Sequence, residues 1–163
     1  MFRIVEGDLL DCKETYLCHQ CNCITNRSAH LAKSVFERFP YADIYTPRKD
    51  PDKPGTIIIS GDDATQRFVI NMLGQYYPGR CKYPSGKKDG YPARQSYFQS
   101  CLEQMEKLTG SFAFPWRIGC GAAGGYWEDY LFDLKEFEAE VEGDVAIYKL
   151  KGYTEQPEPR KLF

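Results

Sequence analysis

Two histidines, an asparagine and a run of glycines are the parts of this sequence best suited to chemistry. His19 and Asn22 lie in "YLCHQCN", and His30 follows in "SAHLA". An imidazole titrates near neutrality and can carry a proton as general acid or base. An asparagine amide can donate and accept, which suits a vicinal diol. Residues 114–127, "FPWRIGCGAAGGYW", hold four glycines and two alanines between a strand-like and a helix-like segment. Glycine is costly to order, so a run of it marks either a tight turn or a place where something approaches the backbone. A strand-to-helix loop without side chains uncovers N–H groups at a helix N-terminus, and those suit a phosphate. Residues 119–125 lack the G-K-[ST] of a P-loop. They also lie too late in the chain, with no acidic strand end after them, for a nicotinamide fingerprint.

The histidines admit a second use. His19 could be a hydrogen-bonded core residue, and positions 19 and 22 point to opposite faces of a regular strand unless a bulge or strand end intervenes. The seven cysteines are an odd number, and "CHQCNC" invites a zinc site. A structural zinc needs a second ligand pair at suitable spacing, and Cys81, Cys101 and Cys120 stand alone, so buried reduced thiols are expected and no metal or cofactor.

The elements that must position these groups follow from periodicity. "FRIVE", "YLCHQCN", "TIIIS", "RFVINML", "SFAFP" and "DVAIYKL" have strand length and composition. "SAHLAKSVFERF" places Leu31, Val35, Phe36 and Phe39 on one helical face, with Ser28 as N-cap and Pro40 as stop. "ARQSYFQSCLEQMEKLTG" places Phe98, Cys101, Leu102, Met105 and Leu108 on one face and ends at Gly110, and "YWEDYLFDLKEFEAEV" forms the last helix. The order predicts an α/β domain with a largely parallel sheet covered by helices. Ligands of such sheets sit beyond the carboxyl ends of the strands, which directs attention to "CNCITNRSAH" and "RIGCGAAGG".

The ordered set "VEGDLLDC", "CHQCNC...SAHLA" and "FPWRIGCGAAGGYW" resembles the macro domain family, which binds ADP-ribose. It is most similar to the branch of the yeast ADP-ribose-1''-phosphate phosphatase and the human terminal ADP-ribose glycohydrolase. The resemblance covers residues 2–150 and implies a three-layer fold, a mixed, mostly parallel sheet flanked by helices, over residues 1–150 with a loose tail at 151–163. It implies that Asp8, with Leu9 beside it, takes the adenine amine and that Asn22 takes the distal ribose. By the same resemblance Gly119, Cys120, Gly121, Ala122, Ala123 and Gly124 belong to the pyrophosphate loop, with Cys120 as small filling where relatives have serine or threonine. His19 matches a histidine of the phosphatase branch. Ala123 stands where the glycohydrolase has its aspartate, and "VINMLGQYY" offers no lysine, so that enzyme's dyad is missing. Ala29 and His30 stand where many relatives have glycines, and His30 either crowds the distal ribose or lines it as a second imidazole.

The implied function is binding of ADP-ribose with hydrolysis of a group on its distal ribose, by His19, Asn22 and His30. The alternative is a non-catalytic reader of ADP-ribose or of ADP-ribosylated protein. A net charge of -2 argues against a nucleic-acid binder, although "YYPGRCKYPSGKKDGYP" interleaves tyrosines with Arg80, Lys82, Lys87 and Lys88. Without a signal peptide or a membrane-length apolar run, a cytoplasmic or nucleocytoplasmic protein is expected.

Overall fold

The computed structural model describes residues 1–81 and 88–155. Lys82 and Lys87 of the tyrosine- and lysine-rich loop, and residues 156–163 of the expected tail, lie outside the described residues. The elements in chain order are β1 (Phe2–Glu6), β2 (Tyr16–Gln20), α1 (His30–Arg38), β3 (Ile57–Ser60), β4 (Phe68–Met72), α2 (Tyr91–Met105), β5 (Phe112–Pro115), α3 (Trp127–Glu140) and β6 (Val145–Lys149). Short 3₁₀ turns occupy Leu9–Asp11 and Pro40–Ala42.

One six-stranded sheet runs β1-β6-β5-β2-β4-β3. Every neighbouring pair is parallel except β3 with β4. The two-residue period of the strands divides the core. Tyr16, Cys18, Ile70, Met72, Phe112, Phe114, Val145 and Ile147 face the α2–α3 layer, where they meet Phe98, Met105, Leu134 and Phe137. Leu17, Cys21, Val69, Leu73 and Ala113 face the other way, against Val35 and Phe36 of α1. This is the expected α/β fold, a mostly parallel sheet between helical layers.

Two helix ends differ from the sequence reading. Ser28 does not cap α1; the N-cap is Ala29, which offers no side-chain acceptor. Helix α2 stops at Met105, ahead of Gly110. Gly110 serves a different purpose: its φ is +125°, and a Cβ there would lie 2.7 Å from the Thr15 hydroxyl. All seven cysteines are buried and none forms a disulfide. No helix among the described residues is long and apolar enough to cross a membrane.

Candidate functional site

Parallel pairing brings the carboxyl ends of β1, β6, β5, β2 and β4 to one edge of the sheet. A cleft of about 300 Å³ opens there. One wall is Gln20, Asn22, Arg27 and residues 29–32; the facing wall is residues 115–119 and 121–123. Gln75, Pro78 and Gly79 form a third side, and Tyr45 also lines the cleft.

The glycine loop divides by what each missing side chain makes room for. Gly119 has φ +75°, and a Cβ would lie 2.5 Å from the Tyr130 ring. At Gly125 a Cβ would lie 2.5 Å from the Gly119 carbonyl oxygen, which accepts the Gly125 N–H at 3.0 Å. Gly124 has φ +77° and the Arg80 side chain against it. These three are required by the turn. Gly121 is not: a Cβ there meets nothing within 4 Å, and it lines the cleft. Among the described residues none accepts from the N–H groups of Gly121, Ala122 or Ala123, whereas those of Cys120, Gly124 and Gly125 close the turn internally. Cys120 is buried and, like Gly124, does not line the cleft.

The opposite wall carries a second set of donors. Helix α1 begins at the cleft, its N-cap Ala29 has no side-chain cap, and among the described residues none accepts from the N–H groups of His30, Leu31 or Ala32. Two rows of unpaired N–H groups thus flank one cleft, one of them at the positive end of a helix dipole. Arg27, His30 and Arg117 line it as well, and among the described residues no carboxylate or lysine does.

Asn22 is fixed more tightly than its type alone implies. Its Oδ1 accepts from the Ile24 N–H (3.0 Å), the Thr25 N–H (3.0 Å) and the Thr25 hydroxyl (3.1 Å). Its Nδ2 donates to the Tyr45 hydroxyl at 3.2 Å. The acceptor is therefore spent, and what the amide can offer a ligand is its second N–H. Arg48 braces the turn from below by donating to the Asn22 and Thr25 carbonyls at 2.9 and 3.0 Å.

The two histidines have separate fates. His30 is exposed, lines the cleft and has φ 55°, a left-handed conformation that glycine adopts freely and histidine does not. His19 is fully buried and does not reach the cleft. Its Nε2 lies 2.7 Å from Asn71 Oδ1 on the neighbouring strand, and its ring packs edge-on against Phe36. The odd spacing of residues 19 and 22 operates as regular strand geometry dictates: the imidazole faces α1 and the asparagine begins beyond the strand end. His19 is therefore placed as a core histidine, not as a proton carrier in the cleft.

Burial lowers the His19 pKa from 6.5 to about 4. Between those values the unfolded chain binds a proton that the native protein refuses, so stability falls as pH drops. The loss amounts to about 3 kcal/mol across that window. Denaturant titrations at pH 7 and pH 4 should show His19→Gln losing less stability on acidification than the parent. Equal losses would contradict a neutral, buried imidazole.

Asp8 and Leu9 do not line the cleft. Leu9 is core, and Asp8 is exposed with Oδ1 accepting the Leu10 N–H at 2.9 Å. Asp8 does sit on the same edge, just past β1: the Gly7 N–H donates to the Lys149 carbonyl, and that of Trp116 to the Tyr148 carbonyl.

Arg94 is a residue that sequence reasoning missed. It is 2% exposed and donates to Gly79 O (2.7 Å), Tyr77 O (3.1 Å), Ala123 O (3.2 Å) and Asp89 Oδ2 (2.6 Å). One guanidinium thus joins the third side of the cleft to the glycine loop. A signal existed: Arg94 falls on the apolar stripe of α2 with Phe98, Cys101 and Met105. Arg27 and Arg117 were also missed, because a basic residue in a loop has no period to mark it.

No protein-family model matches the sequence, and no curated protein matches it. Solved structures do match in fold. The macrodomain of Mycobacterium tuberculosis DarG aligns at 21% identity over 91% of this chain and 97% of its own, with TM-score 0.71. The macrodomain of Thermus aquaticus DarG aligns at 20% identity over 91% and 98%, with TM-score 0.70. The chain has the macrodomain fold. Thermosipho africanus DarTG, solved in complex with ADP-ribose, aligns at 18% identity over 94% of this chain and 42% of its own, with TM-score 0.69. In this macrodomain fold the cleft occupies the edge where open α/β sheets receive ligands.

Proposed function

We propose that the cleft binds ADP-ribose or a derivative of it and removes a group from the distal ribose, as ADP-ribose-1''-phosphate phosphatases and related ADP-ribosyl hydrolases do. The observation that carries the proposal is the pair of N–H rows, at residues 121–123 and at the start of α1, that have no acceptor among the described residues and line one cleft together with Arg27 and Arg117, where no described carboxylate lies. A pyrophosphate bridges two such rows without requiring side-chain charge. The solved ADP-ribose complex of a protein with this fold supports the choice of ligand. Asn22 offers one N–H to the ribose, and Asp8 on the same edge is assigned to the adenine amine. An ADP-ribosylated protein would present the same group on a larger carrier.

For the chemical step, His30 is the proton carrier within reach of the cleft. In hydrolysis of a phosphate monoester, water attacks phosphorus and the departing sugar oxygen takes a proton; His30 is assigned that transfer. The absence of any lining carboxylate or lysine among the described residues favours a second reading, a module that binds ADP-ribose without turnover.

Calorimetry with ADP-ribose and AMP, followed by a phosphate-release assay on ADP-ribose-1''-phosphate, separates these outcomes. ADP-ribose should bind at least tenfold more tightly than AMP, and equal affinities would remove the proposed cleft ligand. His30→Gly relieves the left-handed strain and should raise stability by about 1 kcal/mol, while His30→Ala should not. Both should lose turnover with ADP-ribose affinity within a few-fold of the parent. Tight ADP-ribose binding with no phosphate release by the parent would leave the reader function in its place.

A further inference from the structure

Among the described residues, three other than glycine hold a positive φ: His30 (55°), Asp63 (61°) and Arg117 (61°). Two of the three line the cleft, and they stand on opposite walls. Left-handed backbone is strained at such residues and persists where surrounding structure enforces it, often at ligand clamps. Arg117 is also buried along its side chain, which is 9% exposed, an unusual state for an arginine in a loop. Its Nη1 lies 3.6 Å from Glu155 Oε2.

Glu155 comes from the segment after β6, which turns back over the end of β5. Its other oxygen, Oε1, accepts from the Trp116 indole N–H at 2.7 Å and from Lys149 Nζ at 3.0 Å. Lys149 in turn lies 4.3 Å from the Trp116 ring centroid. The carboxylate thus stands beside a cation of a cleft whose lining, among the described residues, includes no carboxylate.

We propose that Arg117 determines specificity by taking an anionic group of the ligand, and that Glu155 is the internal anion whose hold on Arg117 the ligand must weaken. The proposal rests on the ADP-ribose cleft described above. A guanidinium offers donors in a planar fork, so it can turn from one oxyanion to another without losing its charge partner. With Glu155 engaged, part of the attraction for the ligand is already spent. Removing the carboxylate therefore tightens binding, and removing the guanidinium weakens it.

The test is a double-mutant cycle read by calorimetry with ADP-ribose. Arg117→Asn is chosen because asparagine tolerates left-handed backbone, which keeps the turn. It should weaken binding at least tenfold, and Arg117→Lys should weaken it less, since the charge survives without the fork. Glu155→Gln, which can still accept from the Trp116 indole, should tighten binding about threefold or more. In the Arg117→Asn background Glu155→Gln should change nothing, because its effect passes through Arg117. Thermal melts of each variant report folding. If Glu155→Gln weakens binding, or tightens it equally when Arg117 is absent, the proposed coupling is wrong. If Arg117→Asn melts with the parent and binds equally well, Arg117 is not a ligand group. Absence of ADP-ribose binding by the parent would instead overturn the functional proposal beneath it.

Discussion

Replacing Gly121 with valine should abolish ADP-ribose binding while leaving the fold intact. A side chain at this position meets no protein atom within 4 Å, so the substitution enters open space in the cleft. Substitutions of that kind usually change stability by about 0.5 kcal/mol or less, a melting shift of about 2 °C or less in a chain of this length. The same side chain enters the cleft that residues 121–123 line, and it is expected to keep a phosphate from their N–H groups, which have no acceptor among the described residues. Losing two charge-assisted hydrogen bonds corresponds to ~100-fold or more in affinity. Gly119→Val is the contrasting variant: left-handed backbone and a collision with the Tyr130 ring should cost about 2–4 kcal/mol. At Gly124 the obstacle is the exposed Arg80 side chain, which can move, so the cost there is the backbone term of about 1–2 kcal/mol. Calorimetry beside thermal melts distinguishes the glycines. If Gly121→Val loses stability in step with binding, the run is a packing device and not an anion cradle.

Arg94→Met should be strongly destabilising. It leaves the Asp89 carboxylate, 10% exposed, without its cation, and it takes a donor from the carbonyls of Tyr77, Gly79 and Ala123, of which the first two keep the Gln75 amide at 2.8 and 3.4 Å. Breaking a buried pair from one side costs about 3–5 kcal/mol, because the remaining charge has no partner. Asp89 retains the Tyr76 and Tyr77 N–H groups, at 2.7 and 3.2 Å, which puts the expected loss at the lower end. At about 2–4 °C per kcal/mol the melting temperature should fall by roughly 10 °C. Arg94→Lys should recover little, since a single ammonium cannot serve four acceptors in one plane. Affinity should fall with stability, because the third side of the cleft and Ala123 lose their common tie. A melting temperature within 2–3 °C of the parent, by the same scaling, would mean that the buried guanidinium is not what joins these loops.

These effects show how unevenly the site could be read from the chain. The apolar periods of residues 16–20, 68–72 and 112–115 were enough to place strands, and their alternation with helical stripes was enough for a parallel sheet. From a parallel sheet the position of the cleft follows, since all carboxyl ends share an edge. Residues 119–125 marked one wall and the segment before α1 the other. Each inference rests on neighbours a few positions apart, where the chain's own geometry dictates the outcome.

The composition of the cleft rests on contacts between residues distant in sequence. Spacing left His19 two uses, and its register opposite Asn71 and its packing on Phe36 make it a core group. Asn22 reads as a donor and acceptor, yet the turn at Ile24 and Thr25 consumes its oxygen. The four glycines of residues 119–125 look alike in sequence, but only Tyr130, Arg80 and the Gly119 carbonyl separate the three the turn requires from the one left open. Arg117 and Glu155 had no local pattern to announce them, and Arg94 had only its place on the apolar stripe of α2. Their roles arise from burial and charge pairing across 5 to 38 positions, and only the folded chain brings those partners within hydrogen-bonding or ion-pair reach.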